Sequence, residues 1–263
     1  MGIIHTTLMC HAPIVVPAVG GDRGSDCATT TAAMRTAARR LVAASPDVLV
    51  VLSPHTPRLH DAWGVVEGGS AGGDLSAFRA PGAAVSLPAA VDGRERLHQL
   101  APRHGVHLAR LRPQPLDHGA IVPMWFVQEA GWHGPTIVIG LPWEEGGAHH
   151  LGALLAKAAG TERWAVLASG DMSHRLIPGA PSGYHPRAAS FDAAFVERLR
   201  AGDLVGAGRV DPALREIAAE DVVTTVQVAA AATDFRADHH QVLAYEGPFG
   251  VGYCEAVLFS EAP

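Results

Sequence analysis

The chain has 263 residues, 48% of them hydrophobic, and a net charge of −6. That length buries a sizeable core without disulfides, and the negative balance argues against a nucleic-acid or anionic-membrane binder. Three cysteines (Cys10, Cys27, Cys254) with no CxxC pair argue against a disulfide framework and for a reducing compartment, so the expected location is the cytoplasm. The N-terminal MGIIHTTLMCHAP has neither the basic start nor the long apolar stretch of a signal peptide, and no run of 18 apolar residues predicts a membrane span. Fifteen histidines beside three tyrosines raise the question of a metal.

In chain order, Ile3 to Cys10 reads as a strand that breaks at His11-Ala12-Pro13. Thr29 to Ala44 has helical spacing and leads into the apolar run 47–52, which ends in Ser53-Pro54-His55. This is a βαβ unit, whose strands pair in parallel. Residues 56–92 are rich in Gly and Pro and predict a loop-rich insertion with local hairpins, with strand candidates at Trp63–Glu67 and Ala83–Leu87. A helix over 93–104, a short strand over 105–111, a turn over 113–119 and a helix over 120–130 follow. Then come strands at 136–141 and 164–169 around a helix over 147–159. Helices are predicted over 188–201 and 211–232, before two closing strands within 242–259. Alternating strands and helices of this kind give a single α/β domain over 1–263, with a central, mostly parallel sheet flanked by helices.

Three apolar strands therefore run into a histidine, at His11, His55 and His174, and a fourth, His118, sits in a turn that opens a helix. Parallel strands bring their carboxyl ends to one edge, where open α/β sheets place their ligands, so the four are expected to converge there. His98, His104, His107, His133, His149, His150, His239 and His240 have polar or turn contexts and read as surface residues. His5 reads as a core or edge residue, and His60 as a weak pocket candidate. Cys10 points away from its neighbour His11 and reads as buried structure. Two imidazoles with one carboxylate make the facial triad of non-haem Fe(II) oxygenases. The carboxylate candidate is Glu220, before the apolar stretch 222–232, where an ionised group is costly unless paired or metal-bound. The alternative is a helix-start carboxylate favoured by the macrodipole.

The segments MCHAP (9–13), LSPHTP (52–57), LDHGAIVP (116–123) and LASGDMSH (167–174), with a late Glu, resemble the class III extradiol ring-cleaving dioxygenases of the LigB-like superfamily, over almost the whole chain. SGDMSHRL, GYHPRAASFD and YEGPFGVGY are similar to its subunit-B-like branch related to Memo. The resemblance implies an Fe(II) held by His11, His55 and Glu220, with His174 as acid/base beside it and His118, supported by Asp117, assisting proton transfer. It also implies an activity that uses O₂ to cleave a catechol-like aromatic substrate. Tyr184, His185 and Arg187 are expected to face substrate or support the residues that do; the alternative is that GYHPR is only a helix-entry loop. Arg58, Arg175 and Arg187 are candidates to meet a substrate carboxylate. Two other readings stand beside this one. The first is a Memo-like metal-binding protein without ring cleavage, working with an AMMECR1-type partner. The second is a metal-dependent hydrolase, since His and carboxylate ligands also suit Zn²⁺. A homodimer or higher homo-oligomer is expected, through exposed apolar residues of 56–92.

Overall fold

A computed structural model describes residues 2–144 and 146–262. Its strands in chain order are β1 (Ile3–Met9), β2 (Val48–Ser53), β3 (Trp63–Val66), β4 (Ser70–Leu75), β5 (Ala80–Pro88), β6 (Leu108–Leu111), β7 (Thr136–Gly140), β8 (Trp164–Ser169), β9 (Gln241–Glu246) and β10 (Tyr253–Ser260). Its helices are α1 (Pro17–Gly20), α2 (Ala28–Ala43), α3 (Val91–Leu100), α4 (His118–Glu129), α5 (Ala148–Ala159), α6 (Ala188–Arg200), α7 (Leu204–Ala207), α8 (Pro212–Ala218) and α9 (Val223–Ala231). No helix among the described residues is long and apolar enough to cross a membrane.

The main sheet has the order β6-β3-β7-β2-β8-β1-β10-β9. Its centre, β7-β2-β8-β1, is parallel. β10 and β9 close one side antiparallel, and the parallel pair β3-β6 runs antiparallel to β7 on the other. The central strands are apolar throughout because both faces are covered. In β2, Val48, Val50 and Leu52 join the core under α3, α5, α6 and α9, while Leu49 and Val51 join the core under α2 and α4.

Three features depart from the sequence expectations. β8 inserts between β1 and β2, so the first βαβ unit steps over a strand that arrives later. Of the 56–92 insertion, β3 enters the main sheet and only β4-β5 forms a separate hairpin. Its Trp63, Val65, Leu75, Val85 and Leu87 are buried within the chain. The helix expected over 211–232 is broken: α8 ends at Ala218, Ala219 takes a left-handed conformation (φ 55°), and α9 starts at Val223. The break is held by Glu220, whose Oε2 accepts the main-chain N–H groups of Val222 (2.7 Å) and Val223 (2.8 Å) and so caps α9.

Two stability results follow from the packing. α5 meets α9 at Gly152, where an added Cβ would stand 2.6 Å from Val228 O and Ala231 Cβ and 2.7 Å from Ala232 N. Alanine normally favours a helix over glycine by about 1 kcal/mol. Here backbone and a short side chain block it, and overpacking costs about 1–3 kcal/mol. Gly152→Ala is expected to lower the melting temperature, read by differential scanning calorimetry. The second concerns Glu255 in β10, wholly buried, with the Cys10 thiol nearby but no hydrogen-bond partner of normal geometry on either oxygen. Burial first, then the negative charges of Asp171 and Glu246, pushes its carboxyl well above the ordinary range. As pH rises through that ordinary range the unfolded chain releases a proton that the folded chain keeps, so stability falls with pH. Each tenfold excess in folded-state proton affinity costs about 1.4 kcal/mol. Glu255→Gln should raise the melting temperature at about pH 8 and change it little near pH 4; an equal shift at both would show the effect to be packing alone.

Candidate metal centre

The carboxyl ends of β1, β2 and β8, the start of α4 and the α8–α9 break meet at one place. His11 follows β1 after Cys10, and His55 follows β2 after Pro54. His118 is the first residue of α4. Donor nitrogens of the three imidazoles all lie within 4.8 Å of one another. The His11 and His55 rings stand edge to face at 4.8 Å, and the His55 and His118 rings are 4.4 Å apart.

His11 is wholly buried and fixed from two sides. Its main-chain N–H donates to Asp171 Oδ1 (2.9 Å). Its Nδ1 meets Ser169 Oγ at 3.0 Å, and that hydroxyl donates its own proton to Gly119 O (2.5 Å). Ser169 can therefore only accept from His11, which puts the imidazole proton on Nδ1 and leaves the Nε2 lone pair for a cation. Gly119 is required there, since a Cβ would stand 2.8 Å from Ser53 Oγ and 3.0 Å from His55 Cδ2.

The carboxylate that faces both His11 and His55 is Asp221, in the α8–α9 break; Asp171 Oδ2 approaches His11 Nε2 alone, at 3.6 Å. Asp221 Oδ1 accepts the Asp171 N–H (2.7 Å). Its Oδ2 lies 3.5 Å from His11 Nε2 and 3.3 Å from His55 Nε2, and the two Nε2 atoms are 3.1 Å apart. Donors each about 2.1 Å from one cation stand about 3.0 Å apart at a right angle and about 3.4 Å apart at the tetrahedral angle. The three separations match such a set to within a few tenths of an ångström. Glu220, the expected third ligand, is turned elsewhere: Oε1 accepts Arg215 Nε–H (2.6 Å) while Oε2 caps α9. Asp221 was missed because periodicity continues the helix through it and no glycine announces the break.

The charges are tightly coupled. Burial alone would lower the His11 pKa, but Asp171 and Asp221 outweigh it and push it up to about 9, so a cation gains the Nε2 lone pair by displacing the proton held there. Burial works against ionised Asp221, yet the His11 and His55 imidazoles hold its carboxyl well below the ordinary range. His118 is held down to about 4, by burial first and then by His11 and His55, so it is a neutral base at neutral pH.

Asp117 caps α4 rather than clamping the His118 ring. Its carboxylate accepts from Ser53 Oγ (3.3 Å), Thr56 Oγ1 (3.1 Å) and the Ala120 N–H (3.3 Å), which ties the turn carrying His55 to the one carrying His118. Its charge still raises the proton affinity of His118. His174 stands outside the donor cluster, with its N–H on Ala218 O (2.9 Å) and a buried Nδ1 that has no hydrogen-bond partner among the described residues. It is close enough for its charge to act on Asp171, Asp221 and Asp192.

The loop of Tyr184, His185 and Arg187 pairs back onto this segment, Ser182 N–H to His174 O and His185 N–H to Arg175 O. His185 Nδ1 accepts the Arg187 N–H, and Arg187 is the residue at the head of α6. Tyr184 and Arg187 are exposed, and none of the three lines the cavity of about 500 Å³ beside Asp221. That cavity has Pro54, Arg58, Glu144 and Thr224 in its wall, and Arg58 stacks on Trp143 at 4.1 Å. His60 is exposed and pairs with Glu144. Phe78, 38% exposed in the β4-β5 hairpin, sets its ring 5.4 Å from His118. Cys10 lies in the core on the α2 side, its thiol 3.9 Å from Met34 Sδ.

Comparison with known proteins adds to this geometry. The chain is 26% identical to Protein CA_C1420 of Clostridium acetobutylicum, over 94% of this chain and 55% of that protein, so it spans about half the length of this curated relative. Its fold is similar to that of the uncharacterized protein JW3007 from Escherichia coli K12, with a TM-score of 0.60 at 15% identity, covering 97% of this chain and 99% of that one. A family model described as the catalytic LigB subunit of aromatic ring-opening dioxygenase matches residues 5–255, and members of that family bind a metal. The chain belongs to the LigB family.

Proposed function

We propose that the protein is an Fe(II)-dependent extradiol dioxygenase that cleaves a catechol-like ring with O₂, its metal held by His11, His55 and Asp221. The observation that carries this reading is the spacing of His11 Nε2, His55 Nε2 and Asp221 Oδ2, at 3.1–3.5 Å from one another. Two imidazoles and one carboxylate leave Fe(II) with open positions at which a diol and O₂ can meet.

The chain's own residues supply the rest. Ser169 and Asp171 hold His11 in one orientation and one tautomer. His174, whose Nδ1 has no protein partner, takes a proton from a substrate hydroxyl. His118, neutral and set between His55 and Phe78, passes a proton as the ring opens. Phe78, its ring 5.4 Å from that of His118, offers an apolar wall to an aromatic ring.

The test is anaerobic Fe(II) loading followed by O₂ uptake with a panel of catechols. The expected result is one O₂ consumed per diol cleaved, abolished in His55→Ala. Stoichiometric iron with no uptake for any diol would favour a metal-binding protein without ring cleavage. A second reading rests on His118: three imidazoles within 4.8 Å also suit a hydrolytic Zn²⁺ site. Turnover of an ester or amide with Zn²⁺ and without O₂ would support it.

A further inference from the structure

The far end of the sheet holds a second concave site. His5 lies in β1 opposite Ser260 of β10, six residues before His11 and so roughly 20 Å along the strand direction from the metal centre. A cavity of about 290 Å³ opens there, lined by His5, Arg40, His239, His240, Gln241 and Ser260. The sequence predicts surface positions for His239 and His240 and a core or edge position for His5; the fold brings all three to one cavity.

Two of these groups lack the partners their chemistry calls for. His5 is wholly buried, its Nδ1 meeting Ser260 Oγ at 3.3 Å while its Nε2 has no hydrogen-bond partner. The half-buried Arg40, in the last turn of α2, has no ion pair or side-chain hydrogen bond among the described residues. Burial first, and then the Arg40 charge, holds the His5 pKa down to about 4, so the ring is neutral and can offer one N–H. The nearby acids are engaged elsewhere, Asp238 with Arg236 (2.8 Å) and Glu261 with Arg163 (4.0 Å). The carbonyls of Ala44 and Ser45, just past the end of α2, which would repel an anion, accept from Arg163. In a chain of net charge −6, a cavity whose lining holds an arginine and three histidines and, among the described residues, no carboxylate side chain is a local exception.

We propose that this cavity binds a small oxyanion of the phosphate type, with the Arg40 guanidinium as its charge partner and His5 Nε2–H and Gln241 as hydrogen-bond donors, the Ser260 hydroxyl donating to His5 Nδ1 and so holding the ring proton on Nε2. A planar, five-donor guanidinium suits tetrahedral oxyanions, and a single bound anion would give both Arg40 and His5 Nε2 the partner they lack. The site is separate from the metal centre and stands whatever reaction that centre performs.

Calorimetric titration of the purified full-length chain with inorganic phosphate, at constant ionic strength, tests it. Saturable binding to one site is expected, weakened at least tenfold by Arg40→Gln and unchanged by His55→Ala, which disrupts only the metal centre. Ser260→Ala, which keeps the fold and loses one hydroxyl, should weaken it as well. A parallel titration with glycerol 3-phosphate identifies the source of the phosphate: tighter binding assigns an ester, equal or weaker binding the free anion. Failure of both to saturate, or binding that His55→Ala abolishes and Arg40→Gln leaves intact, overturns the proposal.

Discussion

Asp221→Ala is expected to cost the protein its metal, while Glu220→Gln keeps it and is less stable. The two carboxylates are neighbours in sequence, yet the left-handed turn at Ala219 sends them in opposite directions. Asp221 Oδ2 faces both imidazole nitrogens, at 3.5 and 3.3 Å. Glu220 is wholly engaged by Arg215 and the first N–H groups of α9. Loss of an outer-shell partner such as Ser169 typically costs about 10–100-fold in metal affinity, and loss of a charged ligand should exceed that. Glu220→Gln instead removes the buried negative charge that faces Arg215 Nε at 2.6 Å, which lowers stability. Anaerobic Fe(II) titration and thermal unfolding read the two effects separately. Metal loss in Glu220→Gln with retention in Asp221→Ala would return the ligand role to Glu220.

His174→Ala is expected to lower turnover by about 10²–10⁴-fold while metal content stays at the wild-type level. In barrier terms that is about 3–5 kcal/mol. The segment 172–175 is anchored independently of the imidazole: Met172 N–H to Gly252 O, Ser173 N–H to Asp192 Oδ1, Arg175 N–H to Ser173 Oγ. Tyr245 donates in turn to Asp192 Oδ2 at 2.7 Å. Removing the ring therefore leaves its support in place and isolates the proton-transfer contribution. Unchanged turnover in this variant would remove His174 from the mechanism.

The parallel centre of the sheet was legible because strands buried on both faces must be apolar along their whole length, as Val48–Ser53 and Trp164–Ser169 are. The same rule marked where those runs stop, and so His11 and His55. Strand order was not legible: β8 comes late in the chain, and no local pattern says that it slips between β1 and β2. Its place there puts Ser169 beside His11, a contact that adjacency of β1 and β2 would have left without a residue to make it. The carboxylate proposed as ligand, Asp221, lies one position beyond the expected Glu220 for a local reason. An alanine in left-handed conformation carries no sequence signature, so the apolar periodicity of 211–232 hid the break at Ala219. Asp117 followed by a helix did carry a capping signal, and its bonds to Ser53, Thr56 and Ala120 show the cap to be its first role.

The most direct test is anomalous diffraction at the iron edge from crystals of the Fe(II)-loaded protein. One iron peak per chain is expected in this region, within bonding distance of His11 Nε2, His55 Nε2 and Asp221 Oδ2. A peak bound by Glu220, or no iron among these residues at full loading, would contradict it.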